Sequence, residues 1–372
     1  MIIDLDSHLR EQYFLDEIYK LEGSYAQFTP VRIGNGKYQQ SSFRHSIDPR
    51  PAKAMAVFDH RYMSDPEKKW RGGEYAERQA GGWNLERRLK DKTLEKIDKQ
   101  ILFPTNITIP TTNVGGLGVA LCRAYNNWVA RLIRGYEDHF WPVAMAPAGC
   151  PDEMANELRR CVKELDFKAG HLVSYCGARN LDDPVFYPYY EAAQELNVPL
   201  FCHPNTYGDL TERFNSFFAM HILGRPLNCT AALVGLVCGG IFEKFPKLRV
   251  AFFECSGEWI VYWMHRMDDD YEWVKDGEAS HLKMPPSEYI RRNCYVTCEV
   301  DEKLLPMAIS EIGEERICLA SDYPHHDSEF PHTVAKVRER TDLTERQKEL
   351  ILGGNAARLL GLGACPSNGQ FL

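Results

Sequence analysis

Short apolar runs of four to seven residues recur along the chain, and most are followed by a longer stretch with apolar residues at i, i+3, i+4 and i+7. The short runs predict strands at 2–6, 100–104, 142–146, 167–173, 199–203, 249–254, 294–298 and 316–321. The longer stretches predict helices at 117–134, 151–165, 185–196, 228–244 and 301–312, with Leu158, Val162 and Leu165 marking one buried stripe. Pro151-Asp152 ahead of Glu153 and the pair Asp183-Pro184 read as helix starts, because proline's fixed φ suits a first turn whose N–H groups have no partner. Eight strands alternating with helices predict an α/β fold with a parallel sheet, and the number eight predicts the closed (β/α)8 TIM barrel. A doubly wound sheet is the competing architecture, but no GxGxxG or GxxxxGK[ST] follows any of these strands.

One region breaks the rhythm. Residues 24–84, after the first strand, are rich in glycine, aromatics and charge and show little periodicity. So long an irregular segment predicts a functional insertion, either a lid over the catalytic face or a surface for a partner subunit. The chain therefore reads as a single barrel over 1–361 with its insertion at 24–84, and 362–372 as a peripheral tail.

Composition narrows function more than fold. A formal net charge of -8 with no clustered Lys/Arg stripe argues against a nucleic-acid binder. No unbroken apolar run approaches the roughly 18–20 residues of a membrane span, and Met1 to Asp6 carries no signal-peptide pattern, so a cytoplasmic location is expected. The 12 cysteines include no CxxC pair and mostly sit in apolar runs, as Cys202, Cys238 and Cys318 do, which predicts buried, reduced thiols.

In such a barrel the chemistry gathers at the C-terminal ends of the strands. Strand 1 ends in Asp6-Ser7-His8, whose first and third side chains share a face. Strand 5 ends in Cys202-His203-Pro204, strand 6 in Phe253-Glu254-Cys255, and strand 8 in Ser321-Asp322-Tyr323-Pro324. Each residue has a plainer reading: a strand-end histidine that only bonds its neighbours, Asp322 as a helix cap, Glu254 paired with an arginine. Their coincidence on four strands of one barrel favours a metal site at Asp6, His8, His203 and Asp322. Two imidazoles and two carboxylates suit Zn2+, Mn2+ or Fe2+, with too few thiolates for structural zinc and too much histidine for Ca2+ or Mg2+.

At these residues the chain resembles the amidohydrolase superfamily, in the branch of aminocarboxymuconate-semialdehyde decarboxylase and related aromatic-acid decarboxylases. The likeness runs through Ile3-Asp4-Leu5-Asp6-Ser7-His8, Ile101-Leu102-Phe103-Pro104-Thr105, Arg123-Ala124-Tyr125-Asn126-Asn127-Trp128, Leu181-Asp182-Asp183-Pro184, Phe201-Cys202-His203-Pro204, Ser321-Asp322-Tyr323-Pro324-His325 and Gly354-Asn355-Ala356-Ala357-Arg358-Leu359. The resemblance implies one divalent metal, zinc first, held by Asp6, His8, His203 and Asp322, with Asp322 also exchanging protons with water or substrate. Two departures stand out. The first position, often His or Glu, is Asp6, and the strand 6 histidine followed by glycines is replaced by Glu254-Cys255-Ser256-Gly257.

That replacement tips the expected reaction toward hydrolysis of a small, polar, ring-containing carbonyl or carboxylate substrate. Metal-activated water would attack, with Asp322 as general base and Glu254 or His325 as second proton carrier. The alternative is non-oxidative decarboxylation of an aromatic or unsaturated acid; a non-catalytic ligand-binding barrel is the third. His171, Arg179, Asn106 and His221 are candidates to bind substrate, with one of His325 and His326 facing the site. Trp259, Tyr262, Trp263 and Trp273 have helical spacing and read as core or interface. The resemblance also implies a homodimer.

Overall fold

The computed structural model describes residues 1–11, 14–29, 80–105, 115–176, 179–204, 217–325 and 328–362. Eight parallel strands run in sequential order: β1 (Ile3–Leu9), β2 (Lys99–Pro104), β3 (Phe140–Ala144), β4 (Ala169–Leu172), β5 (Leu200–Cys202), β6 (Val250–Phe252), β7 (Cys294–Cys298) and β8 (Ile317–Leu319). The sheet returns on itself at a parallel bridge between Ser7 and Tyr323. There His8 N donates to Tyr323 O at 2.6 Å and Asp322 N donates to Asp6 O at 3.0 Å. The fold is the (β/α)8 barrel that the strand count predicts.

Helices cover the outside of the sheet. The longer ones are α1 (Leu85–Leu94), α2 (Gly115–Leu132), α3 (Pro151–Glu164), α4 (Tyr187–Leu196), α5 (Phe217–Cys238), α6 (Trp259–Val274), α7 (Pro286–Asn293) and α8 (Leu305–Ile312). Pro151 opens α3 as predicted, and the Asp183 side chain accepts from Val185 N one turn before α4. Asn126 on α2 ties the outer layer to the sheet. Its Nδ2 donates to Met145 O and its Oδ1 accepts from Met145 N, both at 2.9 Å, just beyond β3. Inside the barrel, the Phe103 ring of β2 meets rings from β5 and the end of β6: its centroid lies 5.3 Å from that of Phe253 and 6.1 Å from that of Phe201. Strands so far apart in the order touch only across the interior, so these rings form the floor beneath the mouth.

Several expectations need correction. β5, β6 and β8 stop short of His203, Glu254 and Asp322, which stand just past the strands rather than on them. Glu254 and Asp322 have φ of 54° and 51°, so the chain swings into the left-handed region as it leaves the strand. Such a backbone costs about 1 kcal/mol or more in a residue with a Cβ and is found mainly at functional sites. α5 begins about ten residues before the predicted 228, because Pro226 lies inside it and masks the helical pattern. By length and composition His221–Cys238 of this helix passes for a membrane span, and half of it is buried within the fold, which accounts for its apolar face. Cys238 is exposed, although the 11 described cysteines are all free thiols. Tyr262 and Trp273 on α6 point into solvent, at 63% and 88% exposure, and are not core. Most of the 24–84 insertion, residues 30–79, lies outside the described residues, as does the tail from 363.

Candidate metal centre

Asp6 and His8 leave β1 on the same side, and a register slip between Asp4 and Ser7 marks a bulge where they do so. His203 follows β5 and packs over the aromatic floor, its ring 5.0 Å from Phe103. Glu254 follows β6 and Asp322 follows β8. The structure brings them into two overlapping clusters that share His8 and Glu254. His8 Nε2 lies 3.2 Å from Asp6 Oδ1, 3.6 Å from Glu254 Oε1, 3.4 Å from Asp322 Oδ1 and 3.3 Å from His203 Nε2. His203 Nε2 is 3.3 Å from Glu254 Oε1 and 3.9 Å from Asp6 Oδ1.

These spacings fit a common ion. Donors bound at about 2.0–2.2 Å to one metal stand about 3.0–3.6 Å from each other. The polarity of the atoms fits as well. His8 Nδ1 faces Pro104 O and His203 Nδ1 faces Pro204 O, each at 3.3 Å, so both rings turn Nε2 toward the carboxylates. Both oxygens of buried Asp6 receive no hydrogen bond. Burial alone would lower His8, but the Asp6 and Glu254 carboxylates outweigh it and push it up to about 9. A divalent cation satisfies the same lone pairs. Two overlapping groups can hold one: Asp6, His8, His203 and Glu254, or His8, Glu254, Asp322 and His325.

Glu254 therefore stands among the donors and not only beside them. Its Oε1 faces the histidines, while its Oε2 lies 2.9 Å from Arg225 Nε on α5. Burial would raise its pKa, but Arg225, His203 and His8 hold it well below the usual carboxylate range. An arginine partner is one of the expectations for Glu254; its identity is not legible, since α5 reaches it across the barrel mouth. The loop after Glu254 is held from β7's side, where Glu302 Oε2 accepts from Gly257 N at 2.9 Å. Glu302 is also paired with the Glu258 carboxyl group, and burial together with that neighbour pushes it up to about 9.

His325 stacks on His8 with centroids 4.2 Å apart. Its Nδ1 lies 2.6 Å from Asp322 Oδ1, a contact that requires a hydrogen between the two atoms. Thr105 Oγ1 donates to Leu9 O at 2.7 Å, so toward His325 Nε2, at 3.3 Å, it is left as an acceptor. Burial, with His8 and Arg10 nearby, keeps His325 well below its ordinary pKa.

The remaining candidates are placed as follows. His171 lies on β4 in register with Phe201, fully buried, with neither ring nitrogen hydrogen-bonded. Burial and the neighbouring His203 lower it to about 3, so it is neutral. It belongs to the floor and reaches no open surface. Arg179 is exposed and pairs with Asp183 at 3.3 Å instead of joining the donors. His221 is half-buried on α5, one turn before Arg225. Asn106 and His326 lie outside the described residues.

A family model described as amidohydrolase matches residues 104–362. A 2-amino-3-carboxymuconate-6-semialdehyde decarboxylase from Dictyostelium discoideum is 25% identical over 283 residues, spanning 75% of this chain and 77% of that protein. A gamma-resorcylate decarboxylase from Polaromonas sp. is 27% identical over 252 residues, 64% of this chain and 76% of its own. Among solved structures, a 5-carboxyvanillate decarboxylase from Novosphingobium aromaticivorans, complexed with manganese and 4-hydroxy-3-methoxy-5-nitrobenzoic acid, superposes with a TM-score of 0.74. It is 20% identical, with 97% of this chain and 96% of that one covered.

Proposed function

Because this chain belongs to the amidohydrolase family, we propose that it is a divalent-metal-dependent decarboxylase of an aromatic or unsaturated acid. The observation that carries the reading is the pair of overlapping donor groups, Asp6, His8, His203 and Glu254 on one side and His8, Glu254, Asp322 and His325 on the other, with Asp322 Oδ1 2.6 Å from His325 Nδ1. The relatives' activities favour carbon dioxide release over the hydrolysis expected from the strand 6 substitution.

Asp6, His8, His203 and Glu254 would hold a divalent ion, and when bound it would supply positive charge to the substrate carboxylate and the electron-rich carbon skeleton. Asp322 delivers its proton to the carbon that bears the carboxylate. The C–C bond then breaks, carbon dioxide leaves, and the bonding electrons return to the ring or alkene. His325 takes up the role of returning a proton to Asp322 through the Nδ1 contact. Glu254 works as a ligand and not as an acid, a reading supported by Arg225 on its other oxygen. Each donor group offers two carboxylates and two imidazoles, a set that suits Mn2+, Fe2+ or Zn2+.

The test is to load purified protein with Mn2+ and offer ortho-hydroxybenzoates and unsaturated dicarboxylates, following carbon dioxide. Asp322→Asn is expected to lower kcat by about 10^2–10^4-fold. Turnover of esters, amides or lactones without carbon dioxide, or an unchanged Asp322→Asn rate, would sink the reading.

A further inference from the structure

We propose that Arg88, on α1, is a positioning residue that fixes the metal-binding end of β1 and thereby sets where Asp6 and His8 point. The inference rests on the metal-centre reading above. Among the described strand pairs, β1 with β2 is the one whose register slips, between Asp4 and Ser7. A bulge takes backbone groups out of the ladder and bends the strand, so sheet hydrogen bonds alone do not fix the side chains that follow it. Arg88 supplies the missing constraint.

Its guanidinium is fully buried. Nη2 donates to the carbonyl of His8, Nη1 to Ser7 Oγ at 3.0 Å and to Gln100 Oε1 at 3.3 Å, and Nε to Gly81 O at 2.8 Å. Ser7 Oγ passes the link on by donating to Ile101 O on β2 at 2.6 Å. The flat face of the guanidinium lies 4.9 Å from the ring centroid of Tyr323, the residue after Asp322. Tyr323 Oη in turn donates to Asp91 at 2.5 Å, one turn further along α1. A single helix thus holds both sides of the seam where β1 meets β8, through residues adjacent to three of the donors.

The residue type supports positioning over mere filling. A buried cation is costly, and a well-packed apolar side chain would stabilise a core as well or better. Burial lowers Arg88 to about 10, so it stays charged. Only arginine presents a rigid fork of five N–H donors able to meet a carbonyl on the strand, a hydroxyl, an amide and a second carbonyl at once. Lysine has the charge without the fork.

The experiment compares wild type with Arg88→Lys, Arg88→Met and Ser7→Ala. Mn2+ affinity is measured by titration calorimetry, the d–d absorption spectrum of the Co2+-loaded protein reports coordination geometry, and melting of the metal-free protein reports stability. Arg88→Lys is expected to bind Mn2+ about 10- to 100-fold more weakly, as losses outside the ligand set typically do, with an altered Co2+ spectrum. Ser7→Ala is expected to move both readouts in the same direction by a smaller factor, and it carries the test with Arg88→Lys if Arg88→Met does not fold. Folded variants with wild-type Mn2+ affinity and an unchanged Co2+ spectrum overturn the role of Arg88 alone. A wild-type protein that binds neither ion overturns the metal-centre reading and this proposal with it.

Discussion

Glu302 and Glu258 meet between the loops that follow β7 and β6, and the proton that Glu302 holds there has a consequence for stability. An unfolded glutamate releases its proton near its ordinary value of about 4.3, whereas Glu302 in the folded chain holds it up to about 9. Its contribution is therefore fully present below the ordinary value and is lost as pH rises toward 9, by at most about 1.4 kcal/mol per pH unit. Glu302→Gln copies the neutral acid, so its melting temperature is expected to fall less than wild type between pH 5.5 and 8.5. Parallel melting curves for the two proteins would refute the assignment. At this scale the sequence is a good guide where a polar residue ends an apolar run. His8, His203 and Asp322 stand out that way, and the structure gathers them. Arg225 and Arg88 are invisible to it, because each acts on a residue far along the chain with no local signature. Glu254 is half legible: its carboxylate is evident, but whether it binds or donates depends on Arg225.

Elements were easier to read than their ends. Most strands announce themselves because they are covered on both faces, and β5, β6 and β8 are apolar throughout, while β1 buries Asp4, Asp6, Ser7 and His8 among its apolar residues. The ends escape because three donors sit past the last ladder residue, on backbone the strand pattern no longer governs. α5 escapes at its start, since Pro226 and the polar His221 and Arg225 interrupt the pattern that its burial later explains. The joints between elements are the sensitive points. Asn126 satisfies both backbone groups of Met145 and also donates to Glu157 Oε1 at 2.8 Å. Asn126→Leu leaves those buried groups without partners and is expected to cost about 2–4 kcal/mol. Urea unfolding with an unchanged slope and a lowered midpoint is the measurement; an unshifted midpoint contradicts the argument.

For the molecule as a whole, the metal centre is a store of repulsion until an ion arrives. Asp6, Glu254 and Asp322 each lie within 3.6 Å of His8 Nε2, relieved by that imidazole and by Arg225. Binding of a cation to the folded state alone raises stability, by about 2.7 kcal/mol at a free concentration one hundred times Kd. Mn2+ added to chelator-treated protein is therefore expected to raise its melting temperature in a concentration-dependent way, and a melting temperature indifferent to Mn2+ speaks against a native site.

The bridge between Ser7 and Tyr323 adds a constraint in time. The donors that it brings together lie at the two ends of the chain, the first at Asp6 and the last at Asp322 or His325. A chain still on the ribosome holds Asp6 and His8 for most of its synthesis with no eighth strand to meet them, so it can offer the group with His203 and Glu254 but not the one with Asp322 and His325. Completion of the second group is consequently a late event in the life of each molecule, after translation has passed β8, and products truncated before it are born without those two side chains.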